Sequence, residues 1–424
     1  MKLSKENLKL KSPKEVHQDF RHWIVKDGPS KVLSSVACIL VSLILAILVL
    51  TLLDIKNGCE NVFYEFGQLI TGGLQYRGIN GFYKILTTAA PLICCGLSIC
   101  FAYKTGMFNI GAAGQYVLGM FGGLMFALQF KCHWSICLLM GFVFGAIWAA
   151  IPGLLKAFFN VSEVIGGIML NWIGLYFVNY SWQTYLRGCL DGTKGYKTLS
   201  LASANSSALI PTMKLGDGEL SIAILFALIA TIIVWFIMSK TILGFELRAS
   251  GLNKEATRYA GMNEKKNIIL SMAIAGALAG LGGALYYLTG LEQWEGTIST
   301  SLPGVPWNGI VVAFVGQINP FGTLFASLFV ALITQGAKSM TQSIFPSEVS
   351  DLIVAIIVYL SGLSSFAIVL YRKHLEKKKM KHDMITSPDA SLVEEVTSEY
   401  SVQNEDSNVK DQTLEENESK EEEK

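Results

Sequence analysis

Apolar runs of membrane-spanning length recur from Val32 to Tyr371 of this 424-residue chain, and no other feature restricts its fold as severely. A helix needs about 20 apolar residues to cross roughly 30 Å of hydrocarbon, and Val32–Leu53 supplies such a stretch at once. Inside lipid the backbone must satisfy its own hydrogen bonds, so runs of this kind become helices. Charged residues make up 16% of the chain and hydrophobic ones 51%, whereas soluble domains carry about 25% charged residues. The net charge of +1 conceals a basic start, a basic RKHLEKKKMKH after the last run and an acidic stretch from Asp389 to Lys424. The reading is an all-α integral membrane protein with about ten transmembrane helices. It comprises a basic tail at 1–31, one membrane domain at 32–373, and a tail at 374–424, basic then acidic, too poor in apolar residues to fold.

Residues 1–31 are too long and too charged for an ordinary signal peptide, and no small-residue cleavage site follows the first run, which is therefore an uncleaved anchor. The lysines before it should stay in the cytoplasm, and an even number of crossings places both termini there. Residues 54–83 mix aromatic and polar types, as amphipathic helices at the outer face do. Crossings follow at Ile85–Ala102, kinked by Pro91, then from Asn109 to near Phe130, and at Trp134–Leu154, Ser162–Trp182, Leu220–Met238 and Asn267–Leu288. A short one at Trp307–Val315 is broken from the next, Phe321–Gly336, by Gln317, Asn319 and Pro320, and the last is Leu352–Tyr371. Irregular backbone at membrane depth survives only when buried in protein or lining a cavity, so this break either lies there or marks the cytoplasmic interface. The eight cysteines show no metal-binding spacing and those in spans act as small apolar groups. Cys59 and Cys189 fall in outer loops, but spacing alone does not bring them together.

Small and polar residues mark the helix faces that meet protein. Gly111, Gly114, Gly119 and Gly123 suit close helix packing, as do Gly141 with Gly145, and Gly276, Gly280 and Gly283 on one ridge. Gly167, Asn171, Gly174 and Val178 form one stripe on an apolar helix. Asn171 and Asn179 cannot cheaply face lipid. Either they hydrogen-bond neighbouring helices or they line a solute path, and for Asn171 both readings stay open. Asn109, Gln115, Asn171, Asn308, Gln317 and Asn319 are the candidate pathway residues, each able to hydrogen-bond a sugar or base.

Between two apolar runs, Lys240–Lys266 is dense in charge and helix punctuation. Asn253 is placed to cap a short helix, Glu255 suits its positive first turn, and Gly261 supplies a left-handed stop, leaving KEATRYA as about two turns. A helix that short persists only when packed or held by a partner. Lys240, Arg248, Lys254, Arg258, Lys265 and Lys266 agree with a cytoplasmic position.

GFELRASGLNKEATRYAGMN, as it stands here, resembles the cytoplasmic coupling loop of ABC-importer permeases of the branched-chain amino acid and ribose class, closest to those that take up nucleosides. FNIGAAGQ resembles the FNIGAEGQ segment of that class, EVIGGIMLNWIGLYFVNY its EVI-x-x-IMLNYIA segments, and WNGIVVAFVGQINPFG its GIAVALLGRNNPLG pattern. The matches keep their order across residues 84–337. Two departures stand out: Ala113 replaces the usual Glu, and Gln317 the usual Arg. The resemblance implies a multi-pass protein of the bacterial cell membrane and alternating access driven by a separate ATPase subunit that carries the ATP and Mg. It further implies a second permease subunit, commonly a related but different chain, and an extracytoplasmic solute-binding lipoprotein; nucleic acid has no part. It assigns ATPase coupling to Glu246, Arg248, Asn253, Glu255, Arg258, Tyr259 and Gly261, with Glu255 and Arg258 as polar contacts and Tyr259 as packed anchor. No cofactor is expected on this chain.

The chain has no GxxxxGK[ST] phosphate loop, since GAKS at Gly336–Ser339 lacks the preceding spacing. A membrane enzyme is not supported either, because HExxH, GxSxG and paired intramembrane carboxylates are all missing. An ion-coupled carrier would usually bury ionisable residues, and the predicted spans hold almost none beyond Glu163 and Lys338 near their ends. A ribose or simple-sugar permease of the same class is the nearer alternative.

Overall fold

The regular elements of the computed structural model follow the apolar runs. It describes residues 40–52 except 42, 62–75, 79–295 except 194–196 and 217, and 301–337, together with 352, 355 and 356. Both tails, Cys59 and most of the last predicted crossing lie outside the described residues.

Among the described residues, six helices are long and apolar enough to cross a membrane: α3 (Ile79–Lys104), α5 (Trp134–Phe159), α6 (Glu163–Thr184), α7 (Ala223–Lys240), α10 (Glu264–Leu288) and α12 (Pro320–Ala337). Three apolar helices are shorter: α1 (Leu43–Leu52), α4 (Ala112–Leu128) and α11 (Gly304–Val315). Between α1 and α3, α2 (Val62–Gly67) runs through a π-helical turn at Gln68–Gly72 to Gln75. It buries Val62, Glu65, Leu69 and Gly72 and leaves Phe63 and Tyr64 outside, the amphipathic pattern expected of this stretch. Gly336 of α12 lies against the Leu69 carbonyl, so the stretch packs on the bundle.

Helices α4, α5 and α10 meet along the predicted glycine seams. Gly119 lies on Gly280, Gly141 on the Ala284 methyl and the Gly119 carbonyl, and Gly145 on Gly276 and Gly280, so that backbone meets backbone between α4 and α10 and between α5 and α10. Helix α6 buries Gly167, Asn171, Gly174 and Val178 and exposes Ile165, Met169, Trp172, Ile173 and Tyr176 on the other side. Small residues thus bring helices together while large apolar ones face outward, as a bilayer requires. Lys156 at the end of α5 pairs with Glu163 at the start of α6 at 2.6 Å.

Two expected boundaries shift. The crossing read from Asn109 begins as helix only at Ala112. The Thr105 hydroxyl donates to the Ala102 carbonyl at 2.8 Å, Gly106 turns the chain with φ +71°, and residues 107–111 then run without helical structure to α4. The crossing read from Leu220 begins at Ala223, because Thr212–Leu215 (β1) and Gly218–Ser221 (β2) pair antiparallel. An all-α description is corrected to that extent. The alternating pattern of TMKL and a left-handed Gly216, φ +62°, make the hairpin.

Helix α11 ends at Gly316 and α12 starts at Pro320. Gln317 and Ile318 between them both have left-handed backbones, with φ 54° and 53°. The break predicted at Gln317, Asn319 and Pro320 is therefore a tight turn, with Gly316 packed against Gly322 and Thr323.

Candidate functional site

The charged stretch folds as two helices in place of one. Ahead of the short helix, Ile242–Leu252 forms α8, capped by the Thr241 hydroxyl, which accepts from the Gly244 N–H at 3.0 Å. Gly244 and Gly251 within it are points of contact, Gly244 against the Ile237 carbonyl and Gly251 against Thr105 and Gly106. The short helix, α9 (Lys254–Tyr259), begins where expected, with Asn253 Oδ1 accepting from the Ala256 N–H at 3.0 Å. It ends at Gly261, whose φ of +78° is left-handed. Asn263 then caps α10 by accepting from the Lys266 N–H at 3.0 Å.

These caps hold a surface whose outward side chains pack on nothing. Tyr259 is 92% exposed and Leu252 88%, while Glu255 and Arg258 are exposed beside them. Inward, Thr257 is buried and its hydroxyl donates to the Asn253 carbonyl at 2.8 Å. Asn267 Nδ2 donates to Ser250 Oγ at 2.8 Å and to the Glu246 carbonyl at 3.4 Å, tying α8 to α10. Arg248 Nε donates back to the Gly244 carbonyl at 3.1 Å. The α8–α9 pair is anchored on its inner side and offers Tyr259 and Leu252 among exposed charges on its free side, the combination that suits docking.

The predicted pathway residues divide into groups. Asn109 and Gln115 are buried and exchange amide hydrogen bonds, Asn109 Nδ2 to Gln115 Oε1 at 2.7 Å and Gln115 Nε2 to Asn109 Oδ1 at 2.8 Å; Asn109 Nδ2 also donates to Ser98 Oγ at 3.0 Å. Asn171 accepts from the Gly114 N–H at 2.7 Å and donates to the Ile110 carbonyl at 3.0 Å. Asn171 thus ties the irregular backbone before α4 and the first turn of α4 to α6, while Asn109 and Gln115 pair with each other and with Ser98. Asn319 is exposed and accepts from the Phe321 and Gly322 N–H groups at the start of α12. Asn308 is half-buried on α11 and Gln317 half-buried in the turn, so the structure does not bring the six into one place. Replacing Asn171 with Leu strips a partner from the buried Gly114 N–H and from the half-buried Ile110 carbonyl, and should cost about 1–3 kcal/mol for the buried one. A lower melting temperature of the solubilised protein checks this, with Asn319→Ala as the exposed comparison.

At the end of the molecule opposite α8 and α9 lies a cavity of about 850 Å³, between α4, the end of α10, the start of α11 and the following loops. Tyr116, Tyr286, Tyr287, Glu292 and Trp294 line it. Tyr287 and Trp294 meet edge to face at 5.9 Å. The Thr198 N–H donates to the Trp294 carbonyl at 2.9 Å, and Lys197 pairs with Glu295 at 2.7 Å, pinning two loops together over the site. None of these lining residues stands out in the sequence, since positions 116, 287 and 294 share no local pattern.

No solved structure matches the chain. The family model described as branched-chain amino acid transport system / permease component matches residues 81–362. The guanosine ABC transporter permease protein NupP of Bacillus subtilis (strain 168) is 37% identical, over 73% of this chain and 87% of its own length. The nucleoside ABC transporter permease protein NupB of Lactococcus lactis subsp. cremoris is also 37% identical, over 65% of this chain and 77% of its own. The glucose ABC transporter permease protein TsgB13 of Haloferax volcanii is 31% identical, over 68% and 77%. With membrane-length helices, small-residue seams and a family match extending from α3 beyond α12, this chain belongs to the branched-chain amino acid transport system / permease component family.

Proposed function

We propose that the chain is the membrane permease subunit of an ATP-binding-cassette importer for nucleosides in a bacterial cell membrane. The observation that carries this reading is the capped α8–α9 surface, which holds Tyr259 and Leu252 outward on a stretch resembling the coupling loop of such permeases. A separate ATPase subunit docks there and supplies ATP hydrolysis with Mg; this chain moves solute. Glu246, Arg248, Asn253, Glu255, Arg258, Tyr259 and Gly261 form or support the docking site. Both termini lie in the cytoplasm with about ten crossings between them, the membrane domain occupying 32–373. A second, related permease chain completes the channel, and an extracytoplasmic solute-binding lipoprotein delivers solute to the opposite end.

The nucleoside assignment rests on the two relatives at 37% identity. The 31% identity to a permease named for glucose favours a sugar importer as the second reading. Uptake of labelled guanosine, ribose and glucose, in cells with and without this chain and with ionophore present, separates the two. Ionophore-resistant guanosine uptake that disappears on deletion is the expected result. Loss of sugar uptake alone establishes the second reading, and ionophore-sensitive uptake overturns the ATP-driven assignment.

A further inference from the structure

We propose that the cavity between α4, α10 and α11 is a solute site within the permease, built to take an uncharged nucleoside through its base. The inference rests on the nucleoside reading above and adds where, and by which groups, the solute is held. Asn109, Gln115 and Asn171, the polar residues that stood out in the sequence, hydrogen-bond to protein, as shown above. Here the chemistry differs.

Tyr116 lines the cavity, is 0% exposed, and its hydroxyl meets no hydrogen-bond partner among the described residues. Trp294 is also buried, and its indole N–H is likewise without a partner there. Buried hydroxyl and indole N–H groups nearly always find partners, because desolvating them without one is costly. Two such groups, just behind the wall of one cavity and contributed by chain segments far apart in sequence, mark a place where a polar solute completes the bonding once it displaces the side chains that cover them. A nucleobase has ring nitrogens and carbonyl oxygens that accept from these donors. Its N–H groups can donate to the Glu292 carboxylate, the acceptor on the same wall.

The remaining wall suits a planar ring. Tyr286 is half-buried and presents aromatic surface, with the buried Tyr287 and Trp294 packed edge to face in the same lining, and an aromatic face stacks on any base through its π system. The volume falls within the range of small-molecule sites, about 300–1,000 Å³. Charge narrows the class further. Among the lining residues the charged groups are Lys197, Glu292 and Glu295, one cation against two carboxylates, and Lys197 is engaged by Glu295. A phosphate would meet the remaining carboxylate, Glu292, so the site should reject nucleotides and admit nucleosides.

The test uses the complete transporter in cells. Tyr116→Phe removes one oxygen from a position where it bonds no described protein group, so a purely structural Tyr116 predicts unchanged transport and an equally stable protein. A Tyr116 that meets solute predicts a KM for guanosine raised about tenfold with the same amount of chain in the membrane. Glu292→Gln should raise the guanosine KM similarly while letting guanosine monophosphate compete for uptake, which it does not do with the parent chain. Both variants transporting guanosine with parental KM and with unaltered nucleotide exclusion overturns the site and leaves the nucleoside importer standing. If the parent chain itself moves only ribose or glucose, the nucleoside reading fails, and this inference with it.

Discussion

Tyr259→Ala leaves the chain folded and inserted but cuts ATP-driven uptake by roughly thirtyfold at limiting ATPase subunit, the loss expected when a central aromatic anchor worth about 2 kcal/mol is removed from an interface. The fold should not respond, because Tyr259 is 92% exposed and α9 is held by other groups: the Asn253 cap, the buried Thr257 and the Gly261 stop. Leu252→Ala, at 88% exposure two residues before α9, should act in the same direction. Two measurements check this. Co-purification of the ATPase subunit with the tagged permease should fall in step with uptake, and the melting temperature of the isolated permease should not move. Full uptake with Tyr259→Ala would show that α8 and α9 present a solvated loop whose apolar residues carry no partner.

How much of this was legible beforehand depended on whether the physics was local. Asn253, Glu255 and Gly261 act within one turn of the helix they bound, and α9 came out where they placed it. The stripe of Gly167, Asn171, Gly174 and Val178 was readable because helical periodicity puts those positions on one face. Gly316 to Pro320 broke the helix as Asn319 and Pro320 indicated. By contrast, α8 was hidden because its glycines look like breakers, and only the fold shows that Ile237 and Thr105 leave no room for a Cβ there. The non-helical approach to α4 was hidden for a related reason. Its hydrogen bonds come from Asn171, 61 positions beyond Ile110, a partner no local pattern reveals. The aromatic cavity is the extreme case, assembled from three regions of the chain whose tyrosines and tryptophan each read locally as ordinary helix or loop residues. The buried Glu65 belongs here too, since its flanking aromatics suggested only an amphipathic surface.

The seam between α4, α5 and α10 should be the least forgiving part of the molecule, and two alanine substitutions isolate why. In a helix, glycine to alanine ordinarily stabilises by roughly 0.5–1 kcal/mol, because it removes backbone freedom from the unfolded chain. Gly166→Ala on α6 should show that gain or no change, for its new methyl meets only the Pro152 Cβ at 3.6 Å, an ordinary contact. Gly119→Ala on α4 places the same methyl onto the Cα and carbonyl of Gly280. Overpacking against side chains costs about 1–3 kcal/mol when they can rotate away. A helix backbone cannot rotate away, and Gly280 is itself pressed against the Gly141 carbonyl and the Gly145 backbone, so α4 cannot push α10 aside without opening a second contact. The cost should therefore exceed that range and approach a large part of the total stability of a domain, about 5–15 kcal/mol. The expected result is that Gly166→Ala elutes as a monodisperse species in detergent with its melting temperature kept or raised, while Gly119→Ala aggregates or is degraded. A monodisperse Gly119→Ala protein with the parental melting temperature would mean that α4 and α10 do not touch backbone to backbone. The close packing that replaces hydrophobic driving force inside lipid would then have to lie elsewhere in the bundle.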